Sequence, residues 1–279
     1  MRSSLIARRS PPTFEARIRR AKDLASRYPF ASEALQFYER LAGCQQELYN
    51  DFDAHRVTEK GTHLPESLWP KLDLLILLPR AGSFLSCIEE FGPPPLAQSA
   101  GELRSVGRNR WQEALLESWR GGPDSCGHLT TAEALICRAF LQPYAEYLAD
   151  HSEQPEVQET PHLCPLCSSQ PQVGVLRQEG DGAKRSLICV LCSTEWDYRR
   201  IGCPSCGEEN AQNLPVYIAE QFPHIRVEAC DACHHYLKTI DLTKDGHAIA
   251  VVDELAAIPL SLWAEENGYT KLEPNLLGI

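Results

Sequence analysis

The first half of the chain has apolar residues at the spacing of amphipathic helices. Phe14, Ile18 and Ala21 lie on one helical face, and Ala25 and Tyr28 continue that face. The same spacing recurs in four later segments and predicts helices over residues 32–49, 72–91 with an interruption at Pro79, 102–119, and 131–148 with a kink at Pro143. Consecutive helices joined by polar turns predict a helical bundle, which we place in residues 1–155.

The hydrophobic pattern changes after residues 151–161, a polar stretch that predicts a linker. Short apolar segments separated by turn residues predict two β-hairpins, with strands at 173–177 and 184–189 and at 216–220 and 225–230. One further strand is predicted after each hairpin, at 194–201 and 235–242. A last apolar segment, 251–263, predicts a short helix, and we expect the residues after it to be irregular.

Four Cys-x-x-Cys pairs lie at the ends of the predicted hairpins. Their members are Cys164, Cys167, Cys189, Cys192, Cys203, Cys206, Cys230 and Cys233. Eight thiolates are enough for two tetrahedral metal sites, and both zinc and iron accept four sulfur ligands. Disulfides are the alternative, but nothing in the sequence is typical of a secreted protein. We therefore predict that these eight cysteines are metal ligands.

The cysteine pairs repeat along the chain. Cys164 and Cys203 are 39 residues apart, and Cys189 and Cys230 are 41 residues apart. The repeat favours one site for the first four cysteines and another for the last four, because closing a short loop costs less chain entropy than nesting the pairs. We predict two four-cysteine ribbons packed side by side, at 160–202 and 203–247, and a C-terminal helical tail at 248–279 that packs on the domains. The predicted fold class is α+β, with a helical bundle, two tandem metal modules and a short C-terminal helix.

Composition and charge exclude several classes of function. The formal net charge is -11, and residues 161–247 carry eight Lys or Arg against eleven Asp or Glu, which disfavours nucleic-acid binding. The longest apolar run, residues 74–78, is too short to cross a bilayer, so we expect no membrane insertion. Arg8 and Arg9 are not followed by an apolar segment, which predicts no export signal and a cytoplasmic location. The sequence lacks the glycine loops and catalytic motifs of common enzyme families, which predicts a non-enzymatic protein.

The cysteine motifs and the residues around them resemble those of the FdhE family, the formate dehydrogenase accessory proteins. The resemblance rests on the order of the four pairs, on the string Cys192-Ser-Thr-Glu-Trp196 and on the tail Val252-Asp-Glu-Leu-Ala256. It implies a cytoplasmic, non-enzymatic protein that is needed for active formate dehydrogenase and binds its catalytic subunit. It also implies that the eight cysteines hold two iron ions, one in each rubredoxin-like site, with zinc as the alternative metal.

Two other functions are open at the level of sequence. A rubredoxin-like electron-transfer protein requires iron and at least one sulfur cage near solvent. A nucleic-acid-binding zinc ribbon requires basic and aromatic residues together on one strand face, and the ribbon region shows no such cluster. We therefore expect no nucleic-acid partner, and the sequence is neutral on self-association.

Overall fold

The computed structural model describes residues 11–54, 72–120, 129–152 and 162–278. Most of the predicted linker at 151–161, the domain boundaries at 155 and 160, and the arginine pair at positions 8 and 9 lie outside these residues. The division of the chain into four units at those boundaries therefore stays a prediction.

The described part of the N-terminal half forms six α-helices. They are α1 (Phe14–Arg27), α2 (Ser32–Ala54), α3 (Leu74–Phe91), α4 (Pro94–Val106), α5 (Arg108–Arg120) and α6 (Thr131–Asp150). Side chains cap three of the helix starts. The Thr13 hydroxyl accepts a hydrogen bond from the Ala16 amide, the Asp73 carboxylate accepts from the Leu75 and Ile76 amides, and Thr130 forms a capping box with Glu133. These caps satisfy amide groups that have no partner within the helix, and they fix where the chain turns helical.

Two of the helix predictions were wrong in detail. The helix expected over 102–119 is two helices, because Gly107 has a φ of 96° and the chain turns there between α4 and α5. The interruption expected at Pro79 is absent, and α3 runs through this proline without a break. Pro143 likewise lies inside α6. A proline removes one backbone hydrogen bond, and the packed neighbours of both helices are sufficient to keep them continuous.

Helix α6 is the centre of the bundle. It packs against α2, α4 and α5, and every residue from Ile136 to Ala149 except Arg138 is buried. Aromatic rings fill the space around it, with Phe140 in contact with Phe84 and Trp111. A helix that is buried on all sides is typical of the middle of a domain rather than of its surface.

The cysteine-rich region forms a single seven-stranded sheet within the described residues. Its strands are β1 (Pro171–Glu179), β2 (Gly182–Cys189), β3 (Glu195–Asp197), β4 (Val216–Ile218), β5 (Ile225–Ala229), β6 (His235–Asp241) and β7 (Thr270–Lys271). The order across the sheet is β3-β2-β1-β6-β5-β4, and β7 pairs with β6. Both hairpins form as predicted, whereas β3 and β4 are shorter than expected.

The two ribbons are joined edge to edge by a parallel pairing of β1 with β6. Gly174 lies opposite Thr239 in this pairing, and a Cβ atom on Gly174 would collide with the Thr239 side chain. Glycine is therefore required where the two strands meet. The ribbons are thus halves of one sheet, which is a closer connection than the side-by-side packing that the repeat indicated.

The C-terminal tail contains two short helices, α7 (Ala250–Ala256) and α8 (Ile258–Glu266). Helix α7 packs against α1, β1 and β6, so it lies between the helical bundle and the sheet. Its buried Glu254 receives ion pairs from Lys238 of β6 and Lys271 of β7. The two-residue strand β7 adds to the sheet after α8, and the described residues that follow it are irregular as expected.

The fold class is α+β as predicted, with the helices in the N-terminal half, the cysteine clusters in the sheet region and helices again at the C-terminal end. None of the helices in the described ranges is both long and apolar enough to cross a membrane.

Candidate metal centres

The four cysteine pairs share one backbone arrangement. In each pair, the amide of the first cysteine donates to the carbonyl of the residue five positions later. The four bonds are Cys164 to Ser169 at 2.8 Å, Cys189 to Thr194 at 3.0 Å, Cys203 to Glu208 at 2.9 Å and Cys230 to His235 at 3.0 Å. This bond closes a tight knuckle that brings the two sulfurs of the pair close together.

The residue after the second cysteine of each pair has a left-handed backbone. These residues are Ser168 (φ 57°), Ser193 (φ 52°), Gly207 (φ 78°) and His234 (φ 58°). The first three are small residues, and His234 is the exception because its ring replaces a small side chain. Only glycine adopts this conformation without strain, so three of the four knuckles hold a backbone that costs free energy.

The first cluster brings together Cys164, Cys167, Cys189 and Cys192, the four cysteines of the first ribbon. The Cys167 sulfur lies 3.3 Å from that of Cys189 and 3.5 Å from that of Cys192, and Cys164 lies 3.5 Å from Cys192. Each of these side chains is at most 2% exposed. The first cluster is therefore closed to solvent.

The second cluster brings together Cys203, Cys206, Cys230 and Cys233, the four cysteines of the second ribbon. The sulfurs of Cys203 and Cys233 are 3.7 Å apart, as are those of Cys206 and Cys230. Cys206 is exposed and Cys233 is partly exposed, whereas the other two are buried. The second cluster thus has the same ligand set as the first but faces solvent on one side.

The geometry of both clusters fits a tetrahedral metal ion. Four sulfurs at about 2.3 Å from a central ion lie about 3.8 Å from one another, which is close to the separations in both clusters. Burial raises the pKa of the Cys164 and Cys189 thiols well above the usual value, so several thiolates can coexist there only beside a positive charge. Two divalent or trivalent cations would supply that charge, and the clusters fit two metal ions, one in each.

Backbone amides support the sulfurs from outside the clusters. The Leu191 amide donates to the Cys189 sulfur at 3.3 Å, and the Ser205 amide donates to the Cys203 sulfur at 3.4 Å. Such hydrogen bonds stabilise thiolates and orient them toward a metal. They arise from the knuckle backbone itself, which explains why a short Cys-x-x-Cys motif is sufficient to build half of a site.

The helical bundle contacts the first cluster through a buried ion pair. Arg17 of α1 makes two hydrogen bonds to Glu146 of α6, at 2.8 and 3.0 Å, and both side chains are at most 2% exposed. The Ser193 hydroxyl, next to Cys192, donates to the same carboxylate at 2.6 Å. One turn earlier, Gln142 donates to the Val190 carbonyl at 3.2 Å. Helix α6 therefore holds the second knuckle of the first site in place.

Sequence reasoning missed Gln142 and Glu146. A signal was present, because these two polar residues lie four positions apart in the otherwise apolar stretch 139–149 of α6, and such a pair is rarely buried without a partner. The sequence alone does not say which surface that partner lies on.

The second cluster is held by groups from other parts of the chain. Arg185 of β2 donates to the Gly202 carbonyl at 3.1 Å and to Glu228 of β5 at 2.6 Å, so it ties the loop before Cys203 to both halves of the sheet. The Tyr269 hydroxyl donates to Asp231, inside the fourth knuckle, at 2.6 Å. The tail and the first ribbon thus both brace the second site.

A third group of possible ligands consists of His224, Asp245 and Asp253. Arg20 of α1 already makes ion pairs with both carboxylates, at 2.8 and 2.5 Å. The guanidinium group supplies the positive charge that a metal ion would otherwise bring. This cluster therefore links the helical bundle to the tail and is not a third metal centre.

Two cysteines outside the clusters, Cys44 of α2 and Cys87 of α3, form a disulfide. Cys137 in α6 is buried and lies outside both clusters.

Comparison with known proteins gives a consistent result. Two family descriptions match the chain: "FdhE, central domain" over residues 163–200 and "FdhE, C-terminal domain" over residues 189–277. A "Protein FdhE homolog" from Aquifex aeolicus is 27% identical over 252 residues, which cover 89% of this chain and 87% of that protein. A second, from Pseudomonas aeruginosa, is 39% identical over 122 residues, which cover 41% and 39%. The crystal structure of the FdhE protein from Pseudomonas aeruginosa superposes with a TM-score of 0.71 and 26% identity over 97% of both chains.

Proposed function

Because the chain belongs to the FdhE family, we propose that it is a non-enzymatic accessory protein that binds the catalytic subunit of formate dehydrogenase in the cytoplasm and is required for its active form. The family and the two four-cysteine clusters support an accessory role. A metal ion with four thiolate ligands has no open coordination position for a substrate, which is consistent with a structural or redox role rather than hydrolysis.

We propose further that each cluster holds one iron ion, with zinc as the alternative. Metal content measured on anaerobically purified protein, with an absorption spectrum, distinguishes the two, because ferric tetrathiolate protein is red and zinc protein is colourless. Cys189→Ser and Cys230→Ser should each lose one of the two ions. Cys44→Ser removes a cysteine of the helical bundle that lies outside both clusters and should keep both ions. Equal metal content in all three variants would contradict the ligand assignment.

The observation that supports docking is the exposure of the second site and its surroundings. Cys206 is exposed, and three apolar side chains near this end of the sheet are about half exposed: Ile201 at 51%, Val216 at 50% and Ile218 at 54%. Val216 and Ile218 lie on β4, which is the last strand of the sheet on that side. Apolar residues on a strand at the sheet edge are suited to contact with another protein.

A pull-down of the formate dehydrogenase catalytic subunit by the metal-loaded protein tests the docking role. Ile218→Lys should weaken capture about tenfold or more, because it places a charge at the centre of the proposed contact. Leu75→Lys is the matched control, since Leu75 is 81% exposed on the helical bundle and should have no effect. If neither the wild-type protein nor the control retains the subunit at micromolar concentration, direct docking is ruled out.

Electron transfer is the second candidate, and the solvent access of the second cluster favours it. An iron ion there can exchange electrons with a partner without the chain unfolding, whereas the first cluster is fully enclosed. Iron-loaded protein should then cycle between red and colourless forms with mild oxidant and reductant. If Cys206→Ser loses half of the colour change, that half belongs to the iron of the second site. If the wild-type protein shows no reversible colour change, the redox role is excluded.

A further inference from the structure

Strand β4 ends the sheet and has a backbone edge that no other described strand pairs with. On its other side it pairs with β5, where the Pro215 carbonyl accepts a hydrogen bond from the Ala229 amide at 3.0 Å. In an antiparallel ladder, the backbone groups of successive residues point alternately toward and away from the neighbouring strand. Pro215 faces β5, so the N–H and C=O groups of Val216 and Ile218 point to the open side.

The side chains along this edge are apolar and accessible. Val216 and Ile218 lie on one face of β4, and both are about half exposed. On the opposite face, the Tyr217 ring packs against the Trp263 ring of α8 with 4.5 Å between their centroids, and the neighbouring Leu262 is also about half exposed. An edge with unpaired backbone groups and apolar side chains on both faces is complementary to another extended chain, which brings the same alternation of groups.

Negative charge lies at the end of the edge where β4 begins. The Glu208 carboxylate accepts a hydrogen bond from the Asn213 side chain at 3.0 Å, and the Asp231 amide donates to the Asn213 carbonyl at 2.9 Å. Neither Glu208 nor Asp231 forms an ion pair in the part of the chain that the structure describes. Asp231 also lies between Cys230 and Cys233, and four thiolates exceed the charge of any divalent or trivalent ion that they would hold. This end of the edge therefore favours a cationic segment, whereas a second copy of the chain brings a further formal charge of -11.

We propose that the edge of β4 binds an extended segment of the docking partner by strand addition, with apolar residues beside Val216 and Ile218 and with lysine or arginine at the end beside Asn213. This inference rests on the proposed docking role and specifies the kind of segment that docks. Val216 and Ile218 each offer an amide donor and a carbonyl acceptor to the incoming strand. Main-chain hydrogen bonds of this kind supply affinity, and the neighbouring side chains and charges select the segment.

Fluorescence anisotropy with synthetic peptides and the metal-loaded protein tests the proposal. The probe is a labelled peptide of alternating valine and threonine residues with a pair of lysines at each end, and it should bind saturably at micromolar to submillimolar concentration. The same peptide with its central backbone amides methylated should bind at least about tenfold more weakly, because it cannot donate to the β4 carbonyls. A peptide with glutamates in place of the lysines should also bind about tenfold more weakly. Equal binding by either altered peptide, or no binding of the lysine peptide, overturns the proposal.

Matched variants place the peptide on β4. Ile218→Pro removes an amide that points to the open side and puts a ring there, while the hydrogen bonds from β4 to β5 are kept, so the lysine peptide should bind at least about tenfold more weakly. Ile218→Val keeps the amide and a branched side chain and should change affinity less than about threefold. Both variants should hold as much metal as the wild-type protein, which checks that the second site has folded. Wild-type affinity in Ile218→Pro overturns the proposal, and the methylated peptide decides the question if that variant does not fold.

Two further results separate strand addition from the alternatives. If the wild-type protein captures the catalytic subunit but does not bind the lysine peptide, docking stands and strand addition is wrong. If the peptide binds as expected but the subunit is not captured, strand addition stands and the proposed partner is wrong. A second copy of the chain is the other possible occupant of the edge, and sedimentation at the concentrations of the peptide assay should show a monomer. A dimer that Ile218→Pro dissociates would overturn the proposal.

Discussion

The buried ion pair between Arg17 and Glu146 offers the sharpest test of how the helical bundle supports the first metal site. Glu146→Ala leaves the Arg17 guanidinium at 1% exposure without its carboxylate, and it also removes the acceptor of the Ser193 hydroxyl. Burial alone would lower the pKa of Arg17, but Glu146 raises it, so the guanidinium stays charged in the folded protein. An uncompensated charge in such a place costs about 3–5 kcal/mol of unfolding free energy.

That cost should be visible by two measurements on metal-loaded protein. Denaturant unfolding followed by tryptophan fluorescence should show a free energy of unfolding lower by about 3–5 kcal/mol, a large part of the stability of an ordinary domain. Release of metal to a chromogenic chelator should become faster for one ion only, because Ser193 holds the second knuckle of the first site. The second site shares no contact with Glu146 and should release its ion at the wild-type rate.

Two further variants separate the buried charge from other effects. Arg17→Met combined with Glu146→Leu removes both charges and should recover most of the loss, since replacing a buried ion pair with apolar groups is often neutral. Glu39→Gln breaks a surface pair with Lys22 whose atoms are 3.4 Å apart, and it should cost less than about 1 kcal/mol. The reasoning fails if Glu146→Ala costs no more than the surface variant, or if the double variant is as unstable as the single one.

Three other predictions concern the sheet and the tail. Gly174→Ala should destabilise the protein by about 1–3 kcal/mol through its collision with Thr239, whereas Gly43→Ala, which has open space in α2, should be neutral or stabilising by up to about 1 kcal/mol in the same denaturation assay. Ser168→Gly should raise the unfolding free energy by up to about 1 kcal/mol, because glycine relieves the left-handed backbone, and a decrease would contradict the strain. Burial would raise the pKa of Glu254, but the two lysines paired with it lower it from the usual 4.5 to about 2. The stabilisation from this carboxylate is complete above pH ~5 and is lost as the pH falls toward 2, so the wild-type protein should lose about 3 kcal/mol over that range and Glu254→Gln much less.

The cysteine clusters and both hairpins could be predicted from the sequence because the signals are local. A Cys-x-x-Cys motif and its knuckle fit within six residues, and a few consecutive residues determine each hairpin turn. The parallel pairing of β1 with β6 joins Gly174 to Thr239, which are far apart in the chain. The residues around each of them do not predict this pairing. The role of Glu146 was missed for the same reason, since its partners lie on α1 and on the second knuckle.

Local signals also failed where a single glycine or proline could either end a helix or lie inside it. Gly107 ends a helix because its φ is 96°, yet the same residue type at position 43 lies inside α2. Pro79 lies inside a continuous helix, although proline more often ends one. In each case the residues that pack against the segment determine whether the helix ends or continues, and those residues come from other helices.

The repeat in the sequence conceals a difference between the two metal sites. Both have four cysteines on two knuckles, so their ligand chemistry is the same, but the first is enclosed by α6 and the second has Cys206 at the surface. An ion in the enclosed site would stabilise the knuckle that Ser193 ties to Glu146 of α6. An ion at the surface can also exchange electrons or contact a partner. The difference in solvent access between the two sites therefore follows from where the helical bundle packs, although the repeated ribbon gives both sites the same four ligands.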